Sequence, residues 1–265
     1  MTMSDVLLEA RELHKAFGGL RAVDGVSFGV RLGCIKAIIG PNGAGKTTLI
    51  NLITGLERLN AGEVWFAGRR IDPLQPYEIV RLGIARTFQN LKLFADMSVL
   101  ENVMAGRHSR THAGLVAAIL RSGRARSEEA GIESHAARLL DEVGLLEHAH
   151  ERAGDLPFGK QRLLEIARAL ATEPSLLLLD EPAAGLNSAE AAGLGGFIRR
   201  IRDTGITVLL VEHHMELVMD ISDEILVLNF GQRLAQGTPA EIRNDKAVVA
   251  AYLGDESTLA EDLRA

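Results

Sequence analysis

Hydrophobic and polar residues alternate along the first part of the chain, whereas continuous apolar runs are more frequent farther on. The alternating or β-rich runs occupy residues 7–17, 22–30 and 62–68 and are punctuated by glycines. Because runs of this kind are typical of half-buried strands, they predict an N-terminal antiparallel β layer. Four continuous apolar runs predict short buried strands and occupy residues 34–40, 84–89, 175–180 and 207–213.

Helical patterns lie beside these apolar runs, so the sequence predicts an α/β fold with a largely parallel sheet. In open parallel sheets, ligands bind beyond the carboxyl ends of the strands. The residues at the predicted strand ends are Gly40, Gln89, Asp180, Glu181 and His213. We therefore expect these residues to meet at one edge of the sheet.

The middle of the chain has helical periodicity and no strong strand pattern between Gln89 and Asp155. We expect a single domain over residues 1–265, made of a core (1–88 and 162–240), an inserted helical subdomain (89–161) and a C-terminal tail (241–265). Residues 107–126 hold five arginines and no acid. That composition suits contact with lipid headgroups or a partner, and it equally suits a solvated loop with a short helix.

Composition excludes several classes of protein. Of the 265 residues, 47% are hydrophobic and 24% charged, as in ordinary globular proteins, and the net charge of −6 argues against a nucleic-acid partner. The single cysteine, Cys34, leaves no intramolecular disulfide, fits a reducing compartment and lies in a predicted buried strand. We find no signal peptide and no run of eighteen apolar residues, so we do not expect the chain to cross a membrane alone.

The sequence GPNGAGKT at residues 40–47 follows an apolar strand and precedes an amphipathic helix. This is the pattern of a phosphate-binding loop, in which backbone N–H groups surround a β-phosphate. In such a loop Lys46 neutralises the β and γ oxygens, and Thr47 offers its hydroxyl to Mg²⁺. The sequence therefore predicts a nucleoside triphosphate as ligand.

Two adjacent carboxylates, Asp180 and Glu181, end the apolar run LLLLDE. A buried carboxylate is costly without a cation, and the Mg²⁺ of a bound nucleotide would supply one to Asp180. Glu181 would accept a proton from the attacking water. The alternative is an ordinary pair of acids that ends a strand.

Three further candidates are weak by themselves. His213 is one of two adjacent histidines after a strand, and at most one of them is expected to face the nucleotide. Taken alone, His213 also fits a structural histidine, Gln89 a solvated glutamine and Phe17 a core aromatic residue.

Taken together, these motifs resemble the ATP-binding-cassette (ABC) ATPases along nearly the whole chain. The matching segments, in order, are residues 40–48, Gln89, LPFGKQ, LLLLDEP, AGLN and VEHH. The forms RTFQNLKLFADMSVLENVMAG and VLNFGQRLAQGTPAEIRNDKAVVAAYLG look most like the ATPase subunits of branched-chain amino-acid importers. The resemblance implies a RecA-like P-loop NTPase fold with an N-terminal antiparallel layer and an inserted helical subdomain.

The same resemblance implies roles for individual residues. It assigns adenine stacking to Phe17, metal binding and coupling to Gln89, proton acceptance to Glu181 and γ-phosphate sensing to His213. It assigns Asp180 and Thr47 to Mg²⁺. The nucleotide-binding residues are then Phe17, Gly40, Pro41, Asn42, Gly43, Ala44, Gly45, Lys46, Thr47, Thr48 and Gly159.

In that family two ATPase subunits enclose two ATP molecules. The resemblance therefore implies a second copy or a sister ATPase as partner. It also implies membrane permease subunits and a peripheral position on the cytoplasmic face of the membrane. The turn at residues 156–160 would reach the nucleotide of the opposite subunit.

That turn departs from the Leu-Ser-Gly-Gly-Gln usual in the family. Pro157 replaces a serine whose hydroxyl donates to the γ-phosphate, Phe158 replaces a glycine and Lys160 a glutamine. A hydrogen bond to a charged group contributes about 1.5–3 kcal/mol. Gly159 and a helix expected to begin near Gln161 would still offer N–H donors, and Lys160 would add charge. We therefore expect a weakened contact.

Asn187 also departs from the family, which usually has an aspartate at this dimer contact. Three other classes of function stay open: a soluble cassette protein acting on ribosomes or DNA, a lipid- or lipopolysaccharide-exporting ABC ATPase, and a P-loop kinase outside transport. The first normally has a second cassette, a heptad insertion or a basic face. A kinase would have no use for the LPFGKQ turn.

Overall fold

The computed structural model describes residues 5–107 and 123–253. Most of the arginine-rich segment 107–126 and the last part of the expected C-terminal tail, residues 254–265, lie outside the described residues. The strands are β1 (Val6–Phe17), β2 (Leu20–Arg31), β3 (Ile35–Ile39), β4 (Ala61–Phe66), β5 (Arg69–Arg70), β6 (Ile84–Arg86), β7 (Leu176–Asp180), β8 (Thr207–Val211), β9 (Glu224–Asn229) and β10 (Gln232–Gly237). The helices are α1 (Lys46–Ile53), α2 (Pro76–Leu82), α3 (Val99–Arg107), α4 (Gly123–Glu142), α5 (Phe158–Leu170), α6 (Ser188–Asp203), α7 (Met215–Ile221), α8 (Pro239–Asn244) and α9 (Lys246–Leu253).

The N-terminal strands form a four-stranded antiparallel sheet in the order β2-β1-β4-β5. Alternate side chains of β1 and β2 are buried, among them Leu8, Leu13 and Val26. This confirms the predicted N-terminal antiparallel layer. It follows from the alternating pattern, since side chains of an extended strand point to opposite faces of the sheet.

The second sheet has six strands in the order β10-β9-β3-β8-β7-β6. Its strands β9, β3, β8, β7 and β6 run parallel, and β10 is antiparallel to β9. Every residue of β3, β7 and β8 is buried, as expected for strands covered on both faces. The prediction of an α/β fold with a parallel-sheet core is confirmed. So is the burial of Cys34, whose thiol pKa is raised by burial.

Strand β6 is shorter than the apolar run at residues 84–89 indicated. It ends at Arg86, because the next backbone groups bond to side chains instead of to a strand. The Phe88 carbonyl accepts a hydrogen bond from Arg162, and the Phe88 N–H donates to Glu165. Residues 87–97 have neither helical nor strand conformation.

The described chain divides into two compact units, residues 5–86 with 175–253 and residues 87–174. The second unit is longer than the expected helical subdomain, 89–161, because helix α5 belongs to it. Helices α3 and α5 are in close contact at Gly106, where a Cβ atom would come within 2.2 Å of the Arg168 carbonyl oxygen. The helix that follows the LPFGK turn is thus part of the helical unit.

Candidate functional site

The loop between β3 and α1 follows a path that only glycine permits at two positions. Gly40 has φ 151°, and a Cβ there would come within 2.2 Å of the Leu228 carbonyl oxygen. Gly45 has φ 101°, and a Cβ there would come within 2.3 Å of the Ala22 carbonyl oxygen. The loop therefore lies directly against the backbones of β9 and β2.

The β9–β10 turn forms one hydrogen bond to this loop and one to β2. The Gly231 N–H donates to the Ala44 carbonyl at 3.0 Å, and the Gly231 carbonyl accepts from the Asp24 N–H at 2.8 Å. Helix α1 then begins at Lys46, with Gly45 as its N-cap, no capping side chain and no acid in its first turn. A helix N-terminus of this kind presents N–H donors and the positive end of the helix dipole to an anion.

Lys46 crosses the loop and is only 8% exposed. Its Nζ donates to the carbonyl oxygens of Gly40 at 2.6 Å and Pro41 at 3.0 Å. Burial lowers the pKa of this ammonium group, and the negative charges of Glu181 and Asp180 act in the opposite direction. The side chain is thus a desolvated cation close to both predicted carboxylates, and an anionic phosphate would favour its charged form.

The other predicted loop residues lie on the accessible side. Asn42, Gly43 and Thr47 are exposed, and Pro41 and Thr48 are half-buried, whereas Ala44 is buried. A cation bound with a nucleotide would reach the hydroxyl of Thr47 without displacing any described hydrogen bond of that hydroxyl.

Asp180 ends β7 and forms a buried ion pair with Arg86 at the end of the neighbouring strand β6. Arg86 Nη2 lies 2.9 Å from Asp180 Oδ2, and the two side chains are 8% and 4% exposed. Arg86 Nη1 also donates to Asn51 Oδ1 at 2.7 Å and to Thr54 Oγ1 at 3.1 Å. From the sequence we expected only a metal ion as the counter-charge of Asp180, but the fold itself supplies an arginine, and that arginine also contacts α1.

Glu181 is held in a left-handed backbone conformation with φ 49°. Its N–H donates to the Val211 carbonyl at 2.8 Å, and its side chain is 18% exposed. A non-glycine residue in this region costs of order 1 kcal/mol or more and is commonly retained at functional sites. The conformation turns the carboxylate of Glu181 away from the strand direction that Asp180 follows.

The two histidines after β8 have different surroundings. His213 Nδ1 lies 3.9 Å from Glu181 Oε2, and its side chain is 52% exposed. His214 caps helix α7, because its Nδ1 accepts from the Leu217 N–H at 3.3 Å. Of the two, His213 therefore lies nearer to the predicted catalytic carboxylate, whereas His214 is engaged by helix α7.

Glu212, which the sequence analysis did not single out, organises this corner. Its side chain is fully buried and accepts from the N–H groups of Ala183 (2.7 Å), His213 (2.9 Å) and His214 (3.2 Å). The segment after Glu181 is thereby fixed to the segment that carries His213. An acidic residue that directly continues the apolar run TVLLV was the only sequence signal for it.

Phe17 ends β1 with its ring 46% exposed. The Lys15 ammonium lies 4.7 Å from the ring centroid and also pairs with Glu57 at 2.9 Å. The exposed position fits an adenine platform better than the core alternative.

Gln89 and the turn at residues 156–160 both belong to the second unit. The Gln89 carbonyl accepts from Arg162 Nη2 at 2.6 Å. Helix α5 begins at Phe158, three residues earlier than expected, with Pro157 as its N-cap. Because proline fixes φ and a helix does not use the first N–H groups, a helix can begin directly after it. Gly159 therefore lies in the first turn, where its N–H group points out of the helix end.

Lys160 is paired within its own unit. Its Nζ lies 2.6 Å from His148 Nε2, and His148 Nδ1 lies 2.8 Å from Glu151 Oε1. In this arrangement the Lys160 ammonium is directed to His148, and an added charge at the nucleotide of the opposite subunit stays a prediction. Phe158 is 46% exposed beside the Arg162 guanidinium.

Asn187 caps helix α6. Its Oδ1 accepts from the Glu190 N–H at 3.0 Å, and its own N–H donates to Glu190 Oε2 at 2.9 Å. Asparagine and aspartate are about equally good N-caps, so the departure from the family's aspartate keeps the local structure.

The phosphate loop lies between a buried parallel strand and a helix, and an Asp-Glu pair follows the end of a nearby strand of the same sheet. This combination defines a P-loop nucleotide hydrolase. The family model for ABC transporters matches residues 23–184. A second model, for branched-chain amino acid ATP-binding cassette transporters, matches residues 232–258. The chain belongs to the ATP-binding subunits of ABC transporters, which bind and hydrolyse ATP.

Curated relatives match along nearly the whole chain. The high-affinity branched-chain amino acid transport ATP-binding protein LivG of Salmonella typhimurium is 45% identical over 254 residues, which are 96% of this chain and 100% of the relative. The corresponding protein BraF of Pseudomonas aeruginosa is 44% identical over the same shares of the two chains.

Solved structures agree. A nucleotide-free ATP-binding cassette from an ABC transporter superposes with a TM-score of 0.82 and 35% identity, covering 94% of this chain and 100% of that chain. The ADP conformation of an ABC transporter cassette gives 0.83 and 34%, covering 94% and 99%. None of the helices within residues 5–107 and 123–253 is long and apolar enough to span a bilayer.

Proposed function

We propose that this ATPase drives the import of branched-chain or related amino acids through separate membrane permease subunits. The observation that carries the proposal is the C-terminal match over residues 232–258, because it extends the ABC assignment to a particular class of transporter. The names of relatives that are 44–45% identical along the chain support the same class. The chain would bind to the cytoplasmic side of the permease as a peripheral subunit.

ATP would bind along the carboxyl edge of the parallel sheet. The N–H groups of the loop at residues 40–48 would surround the β-phosphate, with Lys46 on the β and γ oxygens and the Phe17 ring on adenine. Mg²⁺ would be held by Thr47 and Asp180 together with phosphate oxygens and water. The described residues contain no group of three His, Cys, Asp or Glu that could hold a metal. That fits Mg²⁺, which takes most of its ligands from phosphates and water.

Hydrolysis would depend on the positions of Glu181 and His213. The Glu181 carboxylate, turned by its left-handed backbone, would accept the proton of the attacking water. His213, 3.9 Å from that carboxylate, would donate to the γ-phosphate and report its presence. Glu212 would keep both groups in register through its three backbone hydrogen bonds.

Two subunits would be needed for each hydrolytic site. The turn at residues 156–160 would complete the site of the opposite subunit through the Gly159 N–H and the N-terminus of α5. With Pro157 in place of the serine, that site would lose one charge-assisted hydrogen bond. Pairing with a sister ATPase that keeps the serine would therefore give two unequal sites.

The transport proposal is tested by reconstituting the chain with candidate permease subunits and a solute-binding protein in liposomes. We expect ATP-dependent uptake of labelled leucine, isoleucine or valine. Glu181→Gln should abolish uptake and most hydrolysis while ATP still binds, and Glu216→Gln serves as the control because Glu216 lies outside the site. Two results would contradict the substrate class. One is ATP hydrolysis that a lipid stimulates, and the other is ATP hydrolysis that no amino acid stimulates.

A further inference from the structure

Two buried charged residues on helix α5 are not used by the site described above. Arg162 and Glu165 are 4% and 2% exposed, and Arg162 Nη1 lies 3.4 Å from Glu165 Oε2. They stand three residues apart on α5 and therefore lie on the same face of the helix. A charged pair in such a position is costly unless its remaining donors and acceptors are satisfied.

The partners of this pair are backbone groups of the segment that carries Gln89. Arg162 donates to the carbonyl oxygens of Phe88 at 3.0 Å and Gln89 at 2.6 Å. Glu165 Oε1 accepts from the N–H groups of Phe88 at 3.3 Å and Lys92 at 3.4 Å. One end of the pair thus bonds to carbonyl groups and the other to amide groups of the same short segment.

This segment has no regular secondary structure, and side chains bond to the part-buried backbone groups of Phe88 and Gln89 that a helix or strand would otherwise pair. The planar guanidinium group offers two donors in a fixed geometry, which fits two consecutive carbonyl groups. Burial raises the pKa of Glu165, and its bonds to the Phe88 N–H and the Arg162 charge oppose that shift. The pair therefore fixes the backbone on both sides of Gln89 relative to α5.

Helix α5 begins at Phe158, inside the turn that the proposed function places against the nucleotide of the opposite subunit. Arg162 is one helical turn farther along the same helix. A displacement of the turn would therefore be passed through a rigid helix to the Gln89 segment.

We propose that Arg162 and Glu165 are positioning residues that connect the 156–160 turn to Gln89. Through them, the nucleotide bound against one subunit's turn controls where that same subunit places Gln89. The inference rests on the proposed function, since it requires a nucleotide between two subunits.

The test uses amide hydrogen exchange of the full chain carrying Glu181→Gln, with and without Mg-ATP. The double variant R162M/E165L replaces both charges, because removal of one alone would leave a buried unpaired charge. R138A is the matched control, since Arg138 is an exposed arginine of the same unit.

In the parent and in the R138A control, we expect Mg-ATP to slow exchange in residues 40–48 and also in residues 88–92. In R162M/E165L, the slowing at 40–48 should persist and the slowing at 88–92 should be lost. Equal slowing at 88–92 in the double variant would overturn the inference. Absence of slowing at 40–48 in the parent would refute the proposed nucleotide site, and the inference with it.

A second variant covers the case in which the double variant does not fold. Glu165→Gln keeps an acceptor oxygen for the Phe88 and Lys92 amides but removes its charge. Because a bond to a charged group exceeds a neutral bond by about 1 kcal/mol, these amides should exchange about fivefold faster in the ATP-bound state. Unchanged exchange at both amides would contradict the proposed role of the pair.

Discussion

Replacing Arg86 by methionine removes the cation that faces Asp180 while keeping most of the side-chain volume. Breaking a buried ion pair by deleting one partner costs about 3–5 kcal/mol, because the remaining buried carboxylate loses its hydrogen-bonded counter-ion. No allowance for solvent screening is needed, since the two side chains are 8% and 4% exposed. This free-energy cost already includes the lost hydrogen bonds to Asn51 and Thr54, because one guanidinium group makes all three contacts.

Thermal unfolding of the ligand-free chain measures this loss. At about 2.1 cal/mol/K per residue, the unfolding entropy of the 265-residue chain is about 0.56 kcal/mol/K, so Tm should fall by about 5–9 °C. The double variant R86M/D180N removes both charges and should recover at least about 2 kcal/mol relative to R86M. R138M, at an exposed arginine, controls for the loss of a positive charge.

A loss below about 1 kcal/mol in R86M, the magnitude of an exposed ion pair, would contradict a buried Arg86–Asp180 pair. So would an R86M/D180N variant that is no more stable than R86M. In either case the charge of Asp180 would be compensated elsewhere, and Arg86 would not be its counter-ion.

Three further predictions concern binding, capping and turnover. Burial lowers the pKa of Lys46 and bound phosphates favour its charged form, so ATP affinity should fall as pH rises through that lowered pKa, and Lys46→Arg should flatten the dependence. An ATP affinity that stays constant as the pH rises to the ordinary lysine pKa of about 10.4 would contradict this. Asn187→Ala should lower the free energy of unfolding by about 0.5–2 kcal/mol, whereas Asn187→Asp should change it little, and equal urea midpoints for the two would exclude the capping role. Pro157→Ser restores a hydroxyl whose hydrogen bond to a charged acceptor contributes about 1.5–3 kcal/mol, so kcat/KM of the isolated chain should rise at least about tenfold. Pro157→Ala should give no such rise, and equal rates for the two variants would show that the turn does not need the hydroxyl.

The parts of the fold that the sequence predicts are those governed by local pattern. The alternating run of β1, the apolar runs of β3, β7 and β8, and the phosphate loop carry their own periodicity or glycine spacing. Each was therefore found without knowledge of its neighbours. The positive φ of Gly45 likewise follows from a motif of fixed spacing.

The missed features depend on contacts between residues far apart in the chain. Arg86 and Asp180 are 94 positions apart, and Glu212 bonds to Ala183 across 29. Arg162 ends strand β6 early by bonding to Phe88, which lies 74 residues before it. Local periodicity does not encode pairings between such distant residues. From the sequence alone, Arg86 and Glu212 are recognisable as charged residues at apolar strands, but their partners are not.

The contact between the β9–β10 turn and the phosphate loop has a consequence for how this protein can be divided. The ABC transporter match ends at residue 184, yet the carbonyl of Leu228 and the N–H of Gly231 lie against Gly40 and Ala44. A shortened gene that stops at residue 184 would encode the phosphate loop without the β9–β10 turn that contacts it. Recombination between related genes would likewise preserve nucleotide binding only where both segments come from the same parent or from parents with matching turns.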